Sequence, residues 1–381
     1  MIKLCTLNSD INYLTLGEIM ENEIKIEDLG YNDFFESNRK KLDLDAFSIG
    51  RVTSEYQGLY KVMNEGGEYL AKITGKQMQN ALSREDYPAV GDWVAITELD
   101  KEQAVIHQVL PRMTVIKRKY GDKNRSGEKN KTQIIATNVD VALVVESIDR
   151  DYNLNRFERY LAIVNDSGIK PAIILNKVDL ISKDELDQKL IEIKDRFNDI
   201  DVISTSTVSN EGLNELMRFI TKGKTYCFLG SSGVGKSSLT NKLLGENVLK
   251  TGAIGAYSGR GRHITTNRQI YLLKDGGIVI DNPGIREVGI TDVSEGISNT
   301  FDEIVDLSKK CKFIDCTHTH EPGCEVLSAI KTAKLDEDQY SNYINLKKDA
   351  EYYEMTDVEK REKNRQFGKY IRKVKKELDM R

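Results

Sequence analysis

The sequence predicts a multidomain protein: a small β-barrel, then an α/β domain, then a mostly helical domain that binds a metal. Short β-patterned runs separated by turns fill residues 46–118, whereas strand and helix patterns alternate from about residue 130. Three cysteines gather within 14 residues near the end of the chain. With 381 residues, the chain is long enough for two or three domains with cores of their own.

Residues 1–45 predict an acidic N-terminal extension. Residues 1–50 contain 5 Lys or Arg and 10 Asp or Glu, and a helical pattern is visible only around Ile11–Ile26. The start of the chain lacks the long apolar stretch of a signal peptide. No apolar run approaches the roughly 18 residues that are needed to cross a bilayer. We therefore expect a cytoplasmic protein that does not enter a membrane.

The runs within residues 46–118 predict an OB-type barrel. Closely spaced short strands are typical of a small barrel or a sandwich, and their number and length suit the OB-type barrel, a common oligonucleotide-binding fold. We therefore expect this domain to bind RNA. The strand-like runs are Gly58–Met63, Tyr69–Ile73, Trp93–Thr97 and Ala104–Val109.

Two basic blocks interrupt a chain whose net charge is only -4. Residues 112–131 contain 8 Lys or Arg and 2 Asp or Glu, and residues 360–381 contain 10 and 3. Lys and Arg bind polyanions by displacing phosphate counterions, so the blocks indicate a nucleic-acid surface. The alternative is two solvated faces without a ligand.

Residues 119–300 predict an α/β domain. Apolar, β-branched runs such as Val139–Val145 and Pro171–Leu175 alternate with helical stretches such as Lys183–Phe197. This alternation is typical of a parallel sheet that is covered by helices on both faces.

A glycine-rich segment in this domain fits the phosphate-binding pattern G-x4-G-K-[ST]. It follows the apolar run Thr225–Leu229 and precedes a helical stretch, which is the context that the motif needs; a structural glycine turn is the alternative. Glycines let backbone N–H groups face phosphates, and the helix N-terminus adds its dipole. Lys236 would reach the β- and γ-phosphates and act in catalysis, and Ser237 would bind Mg²⁺. The predicted phosphate-binding residues are Gly230, Ser231, Ser232, Gly233, Val234, Gly235, Lys236, Ser237 and Ser238.

A second motif, N-K-V-D at residues 176–179, looks like a guanine-reading box. It follows a predicted strand, and ligands bind at the carboxyl ends of strands in open α/β sheets. Asp179 would accept hydrogen bonds from N1 and the exocyclic amine of guanine, a donor pair that adenine lacks. A helix-capping Asn or Asp is the alternative interpretation. The predicted base-binding residues are Asn176, Lys177, Val178, Asp179, Ser204, Thr205 and Ser206.

The base-reading box precedes the phosphate loop, whereas an ordinary GTPase has them in the opposite order. The pair therefore predicts a circularly permuted P-loop GTPase domain. Downstream, the string D-N-P-G predicts a switch in which Asp281 holds Mg²⁺ and the Gly284 N–H contacts the γ-phosphate. Thr266 is the predicted switch threonine that binds magnesium, with Thr265 as the alternative. No glutamine follows Gly284, which predicts slow intrinsic hydrolysis, and His263 is the nearest candidate for the missing group.

Residues 301–381 predict a mostly helical domain with a zinc site and a basic helical tail. The spacing C-x4-C-x-H-x5-C supplies three thiolates and an imidazole, which suit a closed tetrahedral zinc site. Because this set leaves no open position, the zinc would be structural. The predicted ligands are Cys311, Cys316, His318 and Cys324, with His320 as a competitor of His318.

Together these motifs resemble the circularly permuted ribosome small subunit-dependent GTPase A family (RsgA/YjeQ) over roughly residues 46–381. The resemblance implies an OB-type barrel, a permuted GTPase domain and a C-terminal zinc domain. It implies GTP hydrolysis stimulated by the small (30S) ribosomal subunit, a role in late maturation of that subunit, and a histidine at His263 that assists hydrolysis. Asn282 departs from the family, which usually has threonine there. The matching segments are Val90–Val94, Gln133–Asp140, the phosphate loop, Gly261–His263, Asp281–Gly284, Asp315–His318 and Glu321–Cys324.

We therefore expect a monomeric GTPase that binds GTP or GDP with Mg²⁺, carries one structural Zn²⁺, and binds the small subunit and its rRNA. The barrel, the zinc domain and the basic tail would hold the RNA. The alternatives are a translation-type GTPase that acts on mature ribosomes and an RNA-binding module with weak hydrolysis. An ATP-driven kinase is disfavoured by Asp179.

Overall fold

The computed structural model describes residues 24–56, 58–120, 131–149, 152–245, 268–281 and 293–356, together with residues 358–359, 362–363 and 365. The chain divides into two compact units, residues 1–288 and residues 289–381. The domain limits that the sequence predicts, 46–118, 119–300 and 301–381, stay predictions.

The N-terminal part of the first unit is a five-stranded barrel, as predicted. The strands pair in the order β1-β2-β3-β5-β4, and β4 pairs back with β1, which closes the barrel. Within it, β3 and β5 are parallel and the other neighbours are antiparallel. The strands are β1 (Ser48–Tyr56), β2 (Leu59–Asn64), β3 (Gly67–Ile73), β4 (Trp93–Glu98) and β5 (Gln103–Val109).

Alternating residues of these strands point inward and form the barrel core. Val52, Val62, Ala71, Val94 and Ile106 are all buried and contact one another. In a strand, successive side chains point to opposite faces, so a period of two places one set inside a closed barrel. The barrel core is therefore built from alternate positions of the short runs that the sequence predicts as strands.

The second half of the acidic extension packs against the barrel. A 3-10 helix, Ile26–Leu29, precedes helix α1 (Asp33–Lys41), and the Asn32 side chain caps α1 by accepting a hydrogen bond from a backbone N–H. Phe35 of α1 is buried, and its ring centroid lies 5.7 Å from that of Trp93 in β4. The helix predicted around Ile11–Ile26 lies mostly outside the described residues.

A buried arginine connects the extension, the barrel and the α/β domain. The Arg51 guanidinium in β1 donates hydrogen bonds to the carbonyl oxygens of Leu29 (2.5 Å), Gly91 (3.3 Å) and Asn138 (3.2 Å). These three acceptors belong to the extension, to the loop before β4 and to the segment that enters the α/β domain. One side chain thus satisfies polar groups from three parts of the chain.

The α/β domain contains a six-stranded sheet in the order β10-β9-β8-β11-β13-β12. Its first five strands are parallel, as predicted, and β12 is antiparallel to β13. β12 also pairs with β1 through Gln269 and Ser54, so the sheet continues into the barrel. The strands are β8 (Val141–Ser147), β9 (Lys170–Asn176), β10 (Asp201–Thr205), β11 (Thr225–Leu229), β12 (Gln269–Leu272) and β13 (Ile278–Asp281).

A two-stranded antiparallel ribbon connects the barrel to this domain, and helices follow the parallel strands. The central strands β8 and β11 are buried along their whole lengths, because helices cover both of their faces. The ribbon strands are β6 (Val115–Tyr120) and β7 (Lys131–Thr137). The helices of the barrel and the α/β domain after α1 are α2 (Gly75–Asn80), α3 (Leu154–Asp166), α4 (Lys183–Arg196), α5 (Leu213–Phe219) and α6 (Lys236–Leu244).

The second unit is helical in its described part, as predicted. Phe301, Ile304, Val326 and Leu346 are buried and supply its apolar interior. Among the described helices of the whole chain, none is long and apolar enough to span a bilayer. The helices of this unit are α7 (Ser294–Thr300), α8 (Asp302–Ser308), α9 (Glu325–Lys331) and α10 (Glu337–Glu354).

Candidate nucleotide site and metal cluster

The predicted nucleotide-binding segments meet at one edge of the α/β sheet. The base-reading box begins at the end of β9, and the phosphate loop follows β11 directly. Residues 204–206 span the end of β10. Because these strands are parallel, their carboxyl ends lie at the same edge, where open α/β sheets bind ligands.

The phosphate loop has a backbone that only glycine adopts easily. Gly230, Gly233 and Gly235 have φ angles of 144°, 89° and 102°. A Cβ atom at Gly230 would lie 2.2 Å from the Val145 carbonyl oxygen, so the loop packs too closely on β8 for any side chain there. The loop leads into the N-terminus of α6, which begins at Lys236 and contains Ser237 and Ser238 in its first turn.

The Lys236 ammonium group lies inside the loop. Its Nζ donates hydrogen bonds to the carbonyl oxygens of Gly230 and Ser231, both at 2.6 Å. Burial lowers the pKa of Lys236 to about 8, and the charges of Glu146 and Asp281 oppose this effect. The lysine is therefore a desolvated cation at the position where the motif places phosphates.

Asn176 joins the base-reading box to the phosphate loop. Its side chain is buried, and Nδ2 donates a hydrogen bond of 2.8 Å to the Val234 carbonyl oxygen. The Thr205 hydroxyl donates to Oδ1 of the same side chain at 3.0 Å, which fixes the orientation of the amide. One side chain thus connects three segments that are far apart in the sequence.

Asp179 and Lys177 have partners that determine where their charged groups lie. The Ser206 hydroxyl donates to Oδ1 of Asp179, and the same hydroxyl accepts hydrogen bonds from the N–H groups of Val208 (3.1 Å) and Ser209 (3.0 Å). Lys177 has a left-handed φ of 64°, and its Nζ lies 2.7 Å from Oδ2 of Asp149. Val178 between them is buried.

The structure adds two acidic residues that the sequence analysis does not identify. Glu146 and Asp149 lie at and just beyond the end of β8, between β9 and β11 in the sheet. Glu146 is completely buried, with its Oε2 3.8 Å from Arg156, and it is close enough to Lys236 to affect its pKa. A carboxylate at the end of an otherwise apolar strand is the signal that could have identified Glu146.

Asp281 is buried at the end of β13, next to β11. The negative charge of Asp281 raises the pKa of Lys236, so the predicted magnesium ligand lies near the phosphate loop. The other predicted switch and catalytic residues, His263, Thr265, Thr266 and Gly284, lie outside the described residues.

In the second unit, the three cysteines and one histidine form a compact cluster. The ligand atoms of Cys311, Cys316, His318 and Cys324 all lie within 4.8 Å of one another. His318 Nδ1 is 3.6 Å from Cys311 Sγ and 3.5 Å from Cys324 Sγ, and the two sulfurs are 3.8 Å apart. Zn–S bonds of about 2.3 Å in a tetrahedron place sulfurs about 3.8 Å apart, so the cluster could hold a zinc ion. The exposed His320 instead contacts Thr319 through Nδ1, at 2.8 Å.

The fold and the site define a P-loop GTPase whose base-reading box precedes its phosphate loop, that is, a circularly permuted one. A family model described as "RsgA GTPase" matches residues 109–291. A Small ribosomal subunit biogenesis GTPase RsgA 1 from Bacteroides thetaiotaomicron is 36% identical over 349 residues, which cover 91% of this chain and 96% of the relative. The chain therefore belongs to the RsgA GTPase family.

Two further comparisons agree with this assignment. The Small ribosomal subunit biogenesis GTPase RsgA from Methanosarcina acetivorans is 39% identical over 342 residues, covering 86% of this chain and 89% of the relative. Among solved structures, YjeQ from Thermotoga maritima is similar with a TM-score of 0.60 and 27% identity, over 78% of this chain and 96% of that one. The comparisons extend well beyond the nucleotide-binding residues, into the barrel and the helical unit.

Proposed function

We propose that this protein hydrolyses GTP during late maturation of the small ribosomal subunit, and that the subunit stimulates its hydrolysis. The observation that carries the proposal is the similarity, over 91% of the chain, to a protein named as a small ribosomal subunit biogenesis GTPase. That similarity includes the barrel and the helical unit, which a nucleotide-binding domain alone would not need.

The phosphates of GTP would bind in the loop of residues 230–238. Lys236 would exchange its two carbonyl contacts for phosphate oxygens, which neutralise its charge more completely. Ser237 and Asp281 would hold Mg²⁺, with Thr266 or Thr265 and the Gly284 N–H on the γ-phosphate side. The magnesium ion would supply charge neutralisation at the β- and γ-phosphates.

The guanine base would be selected by Asp179. The Ser206 hydroxyl occupies Oδ1 and leaves the remaining acceptor capacity of the carboxylate for the N1 and amine donors of guanine. Asn176 would support the loop from below, and Lys177 would lie along the base. Backbone N–H groups near Ser204, Thr205 and Ser206 would contact the guanine oxygen.

Hydrolysis would be slow in the free protein because no glutamine follows Gly284. Catalysis would then depend on His263 together with a group or an ordering effect that the ribosomal subunit provides. GTP would set the affinity for the subunit, and hydrolysis would release it. The rate of GTP hydrolysis should therefore show whether the small ribosomal subunit is bound.

The RNA of the subunit would contact the barrel, the helical unit and the basic tail. The basic blocks at residues 112–131 and 360–381 provide the charge for such contacts. The cysteine–histidine cluster would hold one structural Zn²⁺, and the protein would act as a monomer. The domain limits would follow the three predicted ranges.

The test measures GTP hydrolysis alone, with isolated small subunits, and with whole ribosomes. We expect a large rise in rate with small subunits and a smaller one with whole ribosomes. Lys236→Ala is the matched negative control, and His263→Ala should reduce the stimulated rate. Stimulation by whole ribosomes only would instead assign the protein to translation, and no phosphate release under any condition would leave an RNA-binding module.

A further inference from the structure

The metal cluster carries an exposed projection that we name the tip, residues 309–315. Within it, the Phe313 side chain is 42% exposed and the Ile314 side chain is completely exposed. Phenylalanine and isoleucine are among the residues most often found buried, so two adjacent exposed ones need a reason. They lie between Cys311 and Cys316, where neither contributes to the interior of the unit.

Three lysines precede these two apolar side chains in the chain, and one of them, Lys312, lies beside the Phe313 ring. Residues 293–356 contain 13 Asp or Glu and only 7 Lys, yet Lys309, Lys310 and Lys312 all lie in the tip. All three are exposed, and Lys312 Nζ is 5.5 Å from the centre of the Phe313 ring. Lys309 pairs with Asp306 at 2.7 Å, but an exposed pair of this kind is weak and easily exchanged. Asp315 is the one acidic residue of the tip, so three lysines against one aspartate make it a basic site on an acidic unit.

The backbone of the tip is held in place. The Lys312 N–H donates a hydrogen bond of 3.0 Å to the Gly323 carbonyl oxygen, and the Cys316 N–H donates to the Phe313 carbonyl oxygen at 3.4 Å. Cys311 within the tip and Cys316 directly after it both belong to the metal cluster. A surface that is already held loses little entropy when a partner binds, which favours a binding role.

We propose that the tip binds unpaired RNA nucleotides. A base stacks on the Phe313 ring beside Ile314, and Lys309, Lys310 and Lys312 contact the phosphates on either side. Aromatic faces combined with lysines bind single-stranded RNA with little sequence preference. A protein partner would use the apolar pair but would gain little from three flanking cations, so the lysines favour RNA. The inference rests on the proposed function, because it names the part of the partner that this unit contacts.

The test uses the full chain and a twelve-nucleotide single-stranded RNA of mixed sequence that contains 4-thiouridine, with a hairpin duplex for comparison. Phe313→Leu should weaken single-strand binding about tenfold, the effect of losing one stacked base, whereas Phe313→Trp should retain it. Replacing Lys309, Lys310 and Lys312 by Gln should reduce the slope of log K against log salt by about 2. The matched control replaces three exposed lysines of the same unit, Lys331, Lys334 and Lys348, by Gln and should leave the slope unchanged.

Photo-crosslinks of the single-stranded RNA should map to residues 312–316. The proposal is overturned if the crosslinks lie only elsewhere, or if the leucine variant binds the single strand as well as wild type. It is also overturned if that variant loses affinity for small subunits but not for the single strand, because the tip would then contact protein. Helical content and zinc stoichiometry confirm that each variant is folded. Failure of small subunits to stimulate hydrolysis would reject the proposed function without altering these RNA measurements.

Discussion

Lys236 carries a positive charge in a place where that charge is costly until a phosphate arrives. Its pKa is lowered to about 8 by burial, and its contacts are two neutral carbonyl oxygens. A bound phosphate stabilises the charged form, so the pKa of Lys236 rises when nucleotide binds. Binding must therefore take up a proton above about pH 8.

This coupling predicts that GTP affinity falls with rising pH. Below the free-state pKa the lysine is already protonated and the affinity is flat; at about pH 9 roughly one molecule in ten is protonated, so the affinity should be about tenfold weaker. Fluorescent-nucleotide titration between about pH 7 and pH 9 measures the effect. Lys236→Arg, whose charge persists throughout this range, should show a flat profile, and an equally steep decline in that variant would contradict the explanation.

Asp179 is the second residue whose proposed role can be tested by a single substitution. Asp179→Ala would remove the acceptor that we propose for two guanine donors; each hydrogen bond to a charged group contributes about 2 kcal/mol, so GTP affinity should fall by at least about 30-fold. GTP binding should weaken by that factor while ATP binding stays weak and unchanged, as competition titrations would measure. Asp184→Ala, a nearby exposed carboxylate in α4, is the control. A parallel loss of ATP affinity would mean that Asp179 supports the fold rather than reading the base.

The sequence predicts that the described candidate site residues lie at one edge of the sheet, because each motif combines residue type with a position after a strand. The sequence could not show which partners those residues have. Asp149 approaches Lys177 only because β8 and β9 are adjacent and parallel. Likewise, the spacing leaves His318 and His320 as competitors, whereas the structure places His318 among the cysteine sulfurs and His320 against Thr319.

At the scale of elements, the acidic extension had no predicted role, and its described part packs against the barrel in an apolar cluster of its own with Trp93. The sequence predicts the barrel and the parallel sheet well, because short runs between turns mark barrel strands and continuous apolar runs mark strands that are buried on both faces. It does not predict that α1 packs on Trp93, since nine residues of helix with one fully buried side chain, Phe35, carry a weak amphipathic pattern. The many charged residues of α1 leave only a small apolar face, which the sequence pattern does not reveal.

The Arg51 joint, by which we mean the three hydrogen bonds of the Arg51 guanidinium, should contribute measurably to the free energy of unfolding. Arg51→Met removes the donors to three buried carbonyl groups, and each unsatisfied group costs on the order of 1 kcal/mol or more, so unfolding should become easier by about 3 kcal/mol. Trp93, the single tryptophan, lies 5.7 Å from the Arg51 guanidinium and reports the transition in urea by fluorescence. Lys72→Met on the exposed face of β3 is the control. Equal midpoints for the two variants would show that the joint does not stabilise this part of the chain.

At the scale of the whole molecule, the nucleotide site and the metal cluster belong to different compact units. All the described residues of the nucleotide site lie before residue 288, and the four cluster residues lie after it. The second unit, which contains the metal cluster, is short. The ligand atoms of its four cluster residues all lie within 4.8 Å of one another, so they could hold one metal ion. A bound zinc should therefore contribute directly to the stability of this unit and not to nucleotide affinity.

Removing zinc should unfold the second unit and leave GTP binding by the first unit unchanged. Treatment with a strong zinc chelator, or the substitution His318→Ala, should abolish the helical signal and protease resistance of residues 293–356, because unpaired thiolates and a short apolar core cannot hold four helices together. GTP affinity should change by less than about twofold, because the cluster residues and the phosphate loop belong to different units of the chain. His320→Ala is the matched control: it changes the neighbouring histidine, which is exposed and outside the cluster, and should retain one zinc per chain. Loss of GTP binding in step with zinc loss would show instead that the two units fold as one.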